Sequence, residues 1–191
     1  MVAAASLSHL LLCAGSVGEW ADTSPEQWRA RIDLVARVAQ TGGAEWATII
    51  PTHGGVDGEI ESIRHVLQTS CGGVRYANRV VVLSEAGVTI IVDPLADGKQ
   101  RIVDAAARVA SSSGITEDRL SAAITAPAPN EPDLVIVLGD ATTMPGSLVW
   151  ELAYAELVFL DAPWTALDAE HLEMAIDDFT RRDRRFGGVD S

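Results

Sequence analysis

The chain reads as a single α/β domain with a central, mostly parallel sheet and flanking helices. Two patterns predict this. Short apolar runs rich in β-branched and leucine residues recur at 8–13, 45–50, 79–83, 88–92 and 133–139, and segments of helical periodicity separate most of them. A third observation sets the domain count. No linker, internal repeat or low-complexity stretch divides the 191 residues, so 1–191 is expected to form one domain.

Each element has its own signal. Ser8–Cys13 reads as a buried strand, followed by the small-residue loop Ala14–Gly18. Ser24-Pro-Glu-Gln27 is a helix start, with Ser24 as N-cap, Pro25 in the first turn and Gln27 closing a capping box. Trp28, Ile32, Val35 and Ala39 then recur at helical spacing, and Gly42-Gly43 ends the run. Glu45–Ile50 is a second strand, stopped by Pro51. Gly58–Ser70 predicts a helix with Ile60, Ile63, Val66 and Leu67 inward. The runs 79–83 and 88–92 flank the turn Ser84–Gly87, as a hairpin or as neighbouring strands. Asp97–Ala110 predicts a helix burying Ile102, Val103, Ala106 and Val109, and Thr116 caps the next one. After the strand at 133–139, Glu151–Leu157 has helix-forming composition, Val158–Leu160 is a short apolar run, and a long charged helix closes the chain.

Composition excludes several classes of function. Acidic residues number 27 against 14 basic, a net charge of −13, which argues against a nucleic-acid or anionic-lipid binder. The apolar runs are too short to span a bilayer. Residues 1–13 are apolar without a basic segment before them, so a signal peptide is not expected and the expected location is cytoplasmic. Cys13 and Cys71 form no CxxC and read as reduced, packed thiols. No Cys/His constellation points to a metal. His53 follows a strand without a partner of ligand type, His65 and His171 read as helix-surface positions, and His9 as a satisfied strand-end histidine. The loop at 14–18 stands where an α/β protein binds anions, but it lacks a Walker lysine and the full GxGxxG spacing. Charge at a helix C-terminus would by itself explain Arg181, Arg182 and Arg184, but not Arg185-Phe-Gly187.

From Glu131 onward the chain resembles the C-terminal half of the cis-prenyltransferases, which make undecaprenyl, decaprenyl and dolichyl diphosphates. Trp150, Ala153, Tyr154, Glu156 and Leu157 fill that family's Trp-x-x-Ala-Tyr-x-Glu-Leu signature, and Arg185, Phe186 and Gly187 its terminal Arg-x-Gly. His9 through Ala21 aligns on the first family motif, His-x5-Asp-Gly-Asn-x-x-Trp-Ala. The resemblance breaks at the residues that hold diphosphate. Gly15 replaces the aspartate, Ser16 and Val17 replace Gly-Asn, and Glu19 stands where the enzymes carry an arginine. Downstream, Val137 and Thr143 fall in the stretch that supplies two diphosphate-clamping arginines. The segment between Pro51 and Val80, which lines the product tunnel in the enzymes, is also short.

These departures are similar to those of the Nogo-B receptor branch, the non-catalytic subunits of heteromeric cis-prenyltransferases. Asp97-Gly-Lys99, Ile102-Val103, Ala105-Ala106, Pro132–Val135, Gly139 and Gly146-x-Leu-x-Trp150 all fit that branch. Gly188–Ser191 extends past that branch's usual end, and the membrane anchor the branch often carries is not expected here. The resemblance implies an accessory subunit without catalytic residues, cofactor or metal of its own. Arg185, Phe186 and Gly187 would complete, in a catalytic partner, a site holding isopentenyl diphosphate and Mg²⁺. Trp150, Tyr154, Glu156 and Leu157 are the interface candidates, and membrane association would come peripherally, through the partner. The competing readings are a self-sufficient homodimeric enzyme acting on prenyl diphosphates and a pseudoenzyme scaffold.

Overall fold

A computed structural model describes residues 7–110, 114–139, 143–153 and 155–181. In chain order the elements are β1 (His9–Cys13), α1 (Val17–Ala21), α2 (Pro25–Thr41), β2 (Trp46–Ile50), α3 (Asp57–Ser70), β3 (Val74–Tyr76), β4 (Arg79–Leu83) and β5 (Thr89–Val92). Then follow α4 (Gly98–Ala110), α5 (Glu117–Thr125), β6 (Leu134–Leu138), β7 (Glu156–Leu160), a 3-10 turn at Trp164–Ala166 and α6 (Ala169–Arg181). The strands form one sheet in the order β3-β4-β5-β2-β1-β6-β7. β5, β2, β1, β6 and β7 run parallel, and β4 is antiparallel to both β3 and β5. The expected fold class is what forms.

β1 is buried along its whole length, as a central strand of a parallel sheet must be. Its alternate residues feed two cores. Leu10 and Leu12 join the larger one, under α2, α3 and α6, with Trp20, Trp28 and Phe179. Leu11 and Cys13 join a smaller one on the other face, with Ile50, Val135, Val137 and Leu148. The α2 capping box forms as its sequence predicts: Gln27 N–H donates to Ser24 Oγ at 3.3 Å, and Ser24 N–H to Gln27 Oε1 at 2.8 Å.

One open alternative is settled and two expectations are corrected. The runs at 79–83 and 88–92 form an antiparallel hairpin, which β3 extends; Val74 and Tyr76 are exposed, so β3 has no core periodicity to reveal it. The inward residues of α4 are Arg101 and Ala105, while Val103 is exposed. Arg101 is buried because its guanidinium meets Glu151 at 2.9 Å and donates to the Ser147 carbonyl. Finally, the described residues of 151–157 form no helix. Glu151 is held by Arg101, 151–153 are turn, and Glu156 and Leu157 already pair with Leu134 and Val135 of β6. Strand pairing overrides helix propensity there. No helix among the described residues is long and apolar enough to cross a membrane.

Candidate functional site

The sheet order reverses at β1, which has β2 on one side and β6 on the other. In an open α/β sheet, ligands bind in the crevice beyond the C-terminal ends of the strands at such a point. A crevice of about 480 Å³ lies there, with Gly15 after β1, Thr52 and His53 after β2, and Val137, Leu138 and Gly139 at the end of β6. Thr143 to Gly146 and Ala162 to Trp164 complete its wall. Gly15, Val137 and Thr143, distant in sequence, are therefore brought to one site, with Ser16 beside it as the N-cap of α1.

Gly15 sits at φ +66°, and a Cβ there would lie 3.0 Å from Trp164 Cβ and Cγ and 3.1 Å from Trp20 Nε1. Those rings cannot easily give way. Trp20, Trp28 and Trp164 pack mutually with centroids 5.4 to 5.9 Å apart, and Arg31 lies 5.0 Å over Trp164. Trp20 Nε1 also donates to the Ala14 carbonyl at 2.9 Å. A side chain at this position, which the family resemblance sets against an aspartate, would thus be both crowded and in a strained backbone conformation.

Ser16 and Glu19 satisfy one another. Ser16 N–H donates to Glu19 Oε2 at 2.8 Å, Ser16 Oγ to the same oxygen at 3.0 Å, and Glu19 N–H to Ser16 Oγ at 3.2 Å. Thr52 Oγ1 donates to the Gly15 carbonyl at 2.8 Å, so its contact with His53 Nδ1 at 2.9 Å requires the imidazole to donate. His53 Nε2 is then the acceptor nitrogen. Among the described residues lining the crevice there is no lysine or arginine, and Glu19 is the sole carboxylate. Residues 140–142, outside the described set, are Asp, Ala and Thr. Among the described lining residues Glu19 is the one carboxylate, and its Oε2 already accepts from Ser16 N–H and Oγ, so this lining offers Mg²⁺ no carboxylate free of the α1 cap. No group of three His, Cys, Asp or Glu suited to a metal occurs among the described residues. A diphosphate would meet an exposed carboxylate and neutral walls.

The remaining sequence candidates lie elsewhere. Trp150 is half-buried and donates from Nε1 to Glu131 Oε1 at 2.9 Å. Glu156 and Leu157 are neighbours on β7 and face opposite sides of the sheet, with Leu157 on the smaller core. Tyr154, Arg185, Phe186 and Gly187 fall outside the described residues. Sequence reasoning missed Trp164, which shapes the crevice, and the buried set Arg101, Ser147 and Glu151 behind it. Cys13 lies against that set, Sγ 3.4 Å from Ser147 Oγ, and burial pushes its thiol up to about 11.

Residues 62–187 match the model of the prenyltransferase family described as undecaprenyl diphosphate synthase. The chain belongs to this family, the cis-prenyltransferases. It is 30% identical to a ditrans,polycis-undecaprenyl-diphosphate synthase of Lactiplantibacillus plantarum, over 87% of this chain and 69% of that one. It is 34% identical to an isoprenyl transferase of Neisseria meningitidis serogroup B over 65% of this chain, a match spanning only 49% of that protein's length. Two solved structures share the fold at 16% identity. One is a probable undecaprenyl diphosphate synthase of Campylobacter jejuni, at a TM-score of 0.66 over 96% of this chain and all of that one. The other is the lavandulyl diphosphate synthase of Lavandula x intermedia, solved with dimethylallyl diphosphate, at 0.69 over 96% and 99%. This cis-prenyltransferase chain therefore keeps the family fold around a crevice with no arginine or lysine among its described lining residues.

Proposed function

We propose that the chain is the accessory, catalytically degenerate subunit of a heteromeric cis-prenyltransferase. The partner would condense isopentenyl diphosphate onto an allylic diphosphate, with Mg²⁺ held in its own site, to give a long-chain Z-polyprenyl diphosphate. This chain would contribute Arg185 and Gly187 of its terminal motif. One observation carries the reading: no arginine or lysine is among the described residues lining the crevice at the switch point, and Trp164 crowds the space a side chain at residue 15 would need. Substrate diphosphates require charge-assisted hydrogen bonds that valine and threonine cannot supply. The space under α2 and α3 is likewise filled, by Trp20, Trp28, Ile63 and Leu67, all at most 1% exposed, which leaves no room there for a growing prenyl chain.

The partner would dock on the sheet's other face. There Leu157 and Phe159 are half-buried beside a small core capped by Leu148. Parallel sheets are ordinarily covered on both faces. The names of the relatives favour a second reading, a self-sufficient enzyme, and one experiment separates the two. The chain is reconstituted with a catalytic subunit that retains Asp-Gly-Asn and Arg-Thr-Ser-Gly-Glu, and turnover of labelled isopentenyl diphosphate with farnesyl diphosphate and Mg²⁺ is followed. Arg185→Ala removes a charge-assisted contact of about 1.5–3 kcal/mol. The complex should slow roughly ten- to a hundredfold with assembly intact. Arg182→Ala, outside the motif, should change little. Equal, small effects would reduce the arginine cluster to a solvated helix end.

A further inference from the structure

α6 lays an exposed face along the edge strand β7, and the two enclose a groove of about 610 Å³. Val158, Leu160 and Met174 give it an apolar floor, and Glu170, Glu173 and Asp177 give it an acidic rim. Met174 is 55% exposed, unusual for a large apolar side chain. Among the described residues β7 pairs only with β6, so the groove follows an edge of the sheet. Arg181 is the one cation among the described residues lining it, at the end of α6, and reaches Asp177 only at 3.5 Å between largely exposed side chains.

Beyond Arg181 the sequence continues for ten residues, Arg182-Asp-Arg-Arg-Phe-Gly-Gly-Val-Asp-Ser191, which lie outside the described set. This segment starts on the groove's rim and has the complementary chemistry: three arginines for the carboxylates and Phe186 for the apolar floor. Its reach is sufficient. Arg185 and Phe186 stand four and five residues past Arg181, a span of up to about 13 and 17 Å at ~3.3 Å each. Glu173 and Met174 lie eight and seven residues before Arg181 on α6, a rise of only about 12 and 10 Å. We propose that in the free subunit the chain's own terminal segment folds back into this groove, with Arg184 and Arg185 facing Glu173 and Asp177 and Phe186 over Met174. Ion pairs on a solvated rim are weak and salt-screened, so the contact is reversible. Tethering to α6 supplies the high effective concentration that lets a weak contact form. The consequence for regulation rests on the reading above: a partner's site would compete with the groove for the same Arg185 and Phe186, so the motif is sheltered until the partner arrives.

The test uses the full chain without partner or substrate. A nitroxide is attached through Ser191→Cys in a Cys71→Ser background, Cys13 being buried, and paramagnetic broadening is read by NMR. Broadening of Glu170, Met174 and Val158 signals, with α5 signals unaffected, is expected. It should fall to background in Glu173→Lys/Asp177→Lys and at high salt. No selective broadening, or broadening that survives the charge reversals, would overturn the proposal. So would broadening of an isotope-labelled chain by a separate nitroxide-bearing chain, because a second copy would then fill the groove. As no catalytic partner is present, failure here leaves the role of Arg185 in the complex to be decided by its own kinetics.

Discussion

At Gly15 the backbone lies at φ +66° with Trp164 against it, and both facts resist a side chain. Gly15→Asp restores the residue type of the active enzymes, yet it should destabilise the fold by about 1–3 kcal/mol through backbone strain and overpacking. It should not create diphosphate binding. Urea unfolding and calorimetric titration with inorganic diphosphate and Mg²⁺ check both halves; a stable variant that binds would show the tryptophan cluster to be yielding. His9 offers a pH test. It is 2% exposed, Nδ1 donates to the Asn130 carbonyl at 2.8 Å, and Nε2 therefore accepts from Thr48 Oγ1 at 2.8 Å. Burial holds its pKa below the ordinary 6.5, against the opposing pull of the Asn130 bond and Asp133. The unfolded chain then takes the proton first, so stability is lost as pH falls below 6.5 and levels off once the folded imidazole also protonates. His9→Gln should be less stable at neutral pH but free of that added slope, and identical slopes in the two proteins would contradict the account.

At the scale of elements, Arg101 on α4 fixes the segment between β6 and β7, meeting Glu151 and the Ser147 carbonyl where all three residues are buried. Gly98 adds a close backbone approach, since a Cβ there would come within 2.8 Å of the Ser147 oxygen. Arg101→Met alone strands a buried carboxylate and should cost about 3–5 kcal/mol. Adding Glu151→Leu should recover much of that loss, as a double-mutant cycle by chemical denaturation would reveal; additive losses would mean the pair is not coupled. The same elements show what a sequence discloses. β1 and α2 were legible because an apolar run and a capping box are local signals. The turn at 151–153 was not, because a helix-forming segment is redirected by pairing with β6 and by an arginine fifty positions earlier. A buried arginine reads as surface until its partner is known, and that reversed the inward face of α4.

For the whole molecule, the crevice was legible only in pieces. The substitutions at Gly15, Val137 and Thr143 stood out against the family pattern, but that they converge follows from β1 and β6 being neighbours. Trp164 carried no local signal, since Ala162-Pro-Trp164 has neither periodicity nor a motif, and its role appears only when it lies against Gly15. With 27 acidic and 14 basic residues, the chain has few cations for phosphate, and three of them follow α6 in the terminal segment. The central claim is that this fold no longer performs the family's chemistry alone. The direct measurement is turnover of labelled isopentenyl diphosphate by the purified chain, with farnesyl or geranyl diphosphate and Mg²⁺, at protein concentrations that would permit a homodimer. The account predicts no Z-polyprenyl product without a catalytic partner and product once one is added; robust synthesis by the chain alone would contradict it.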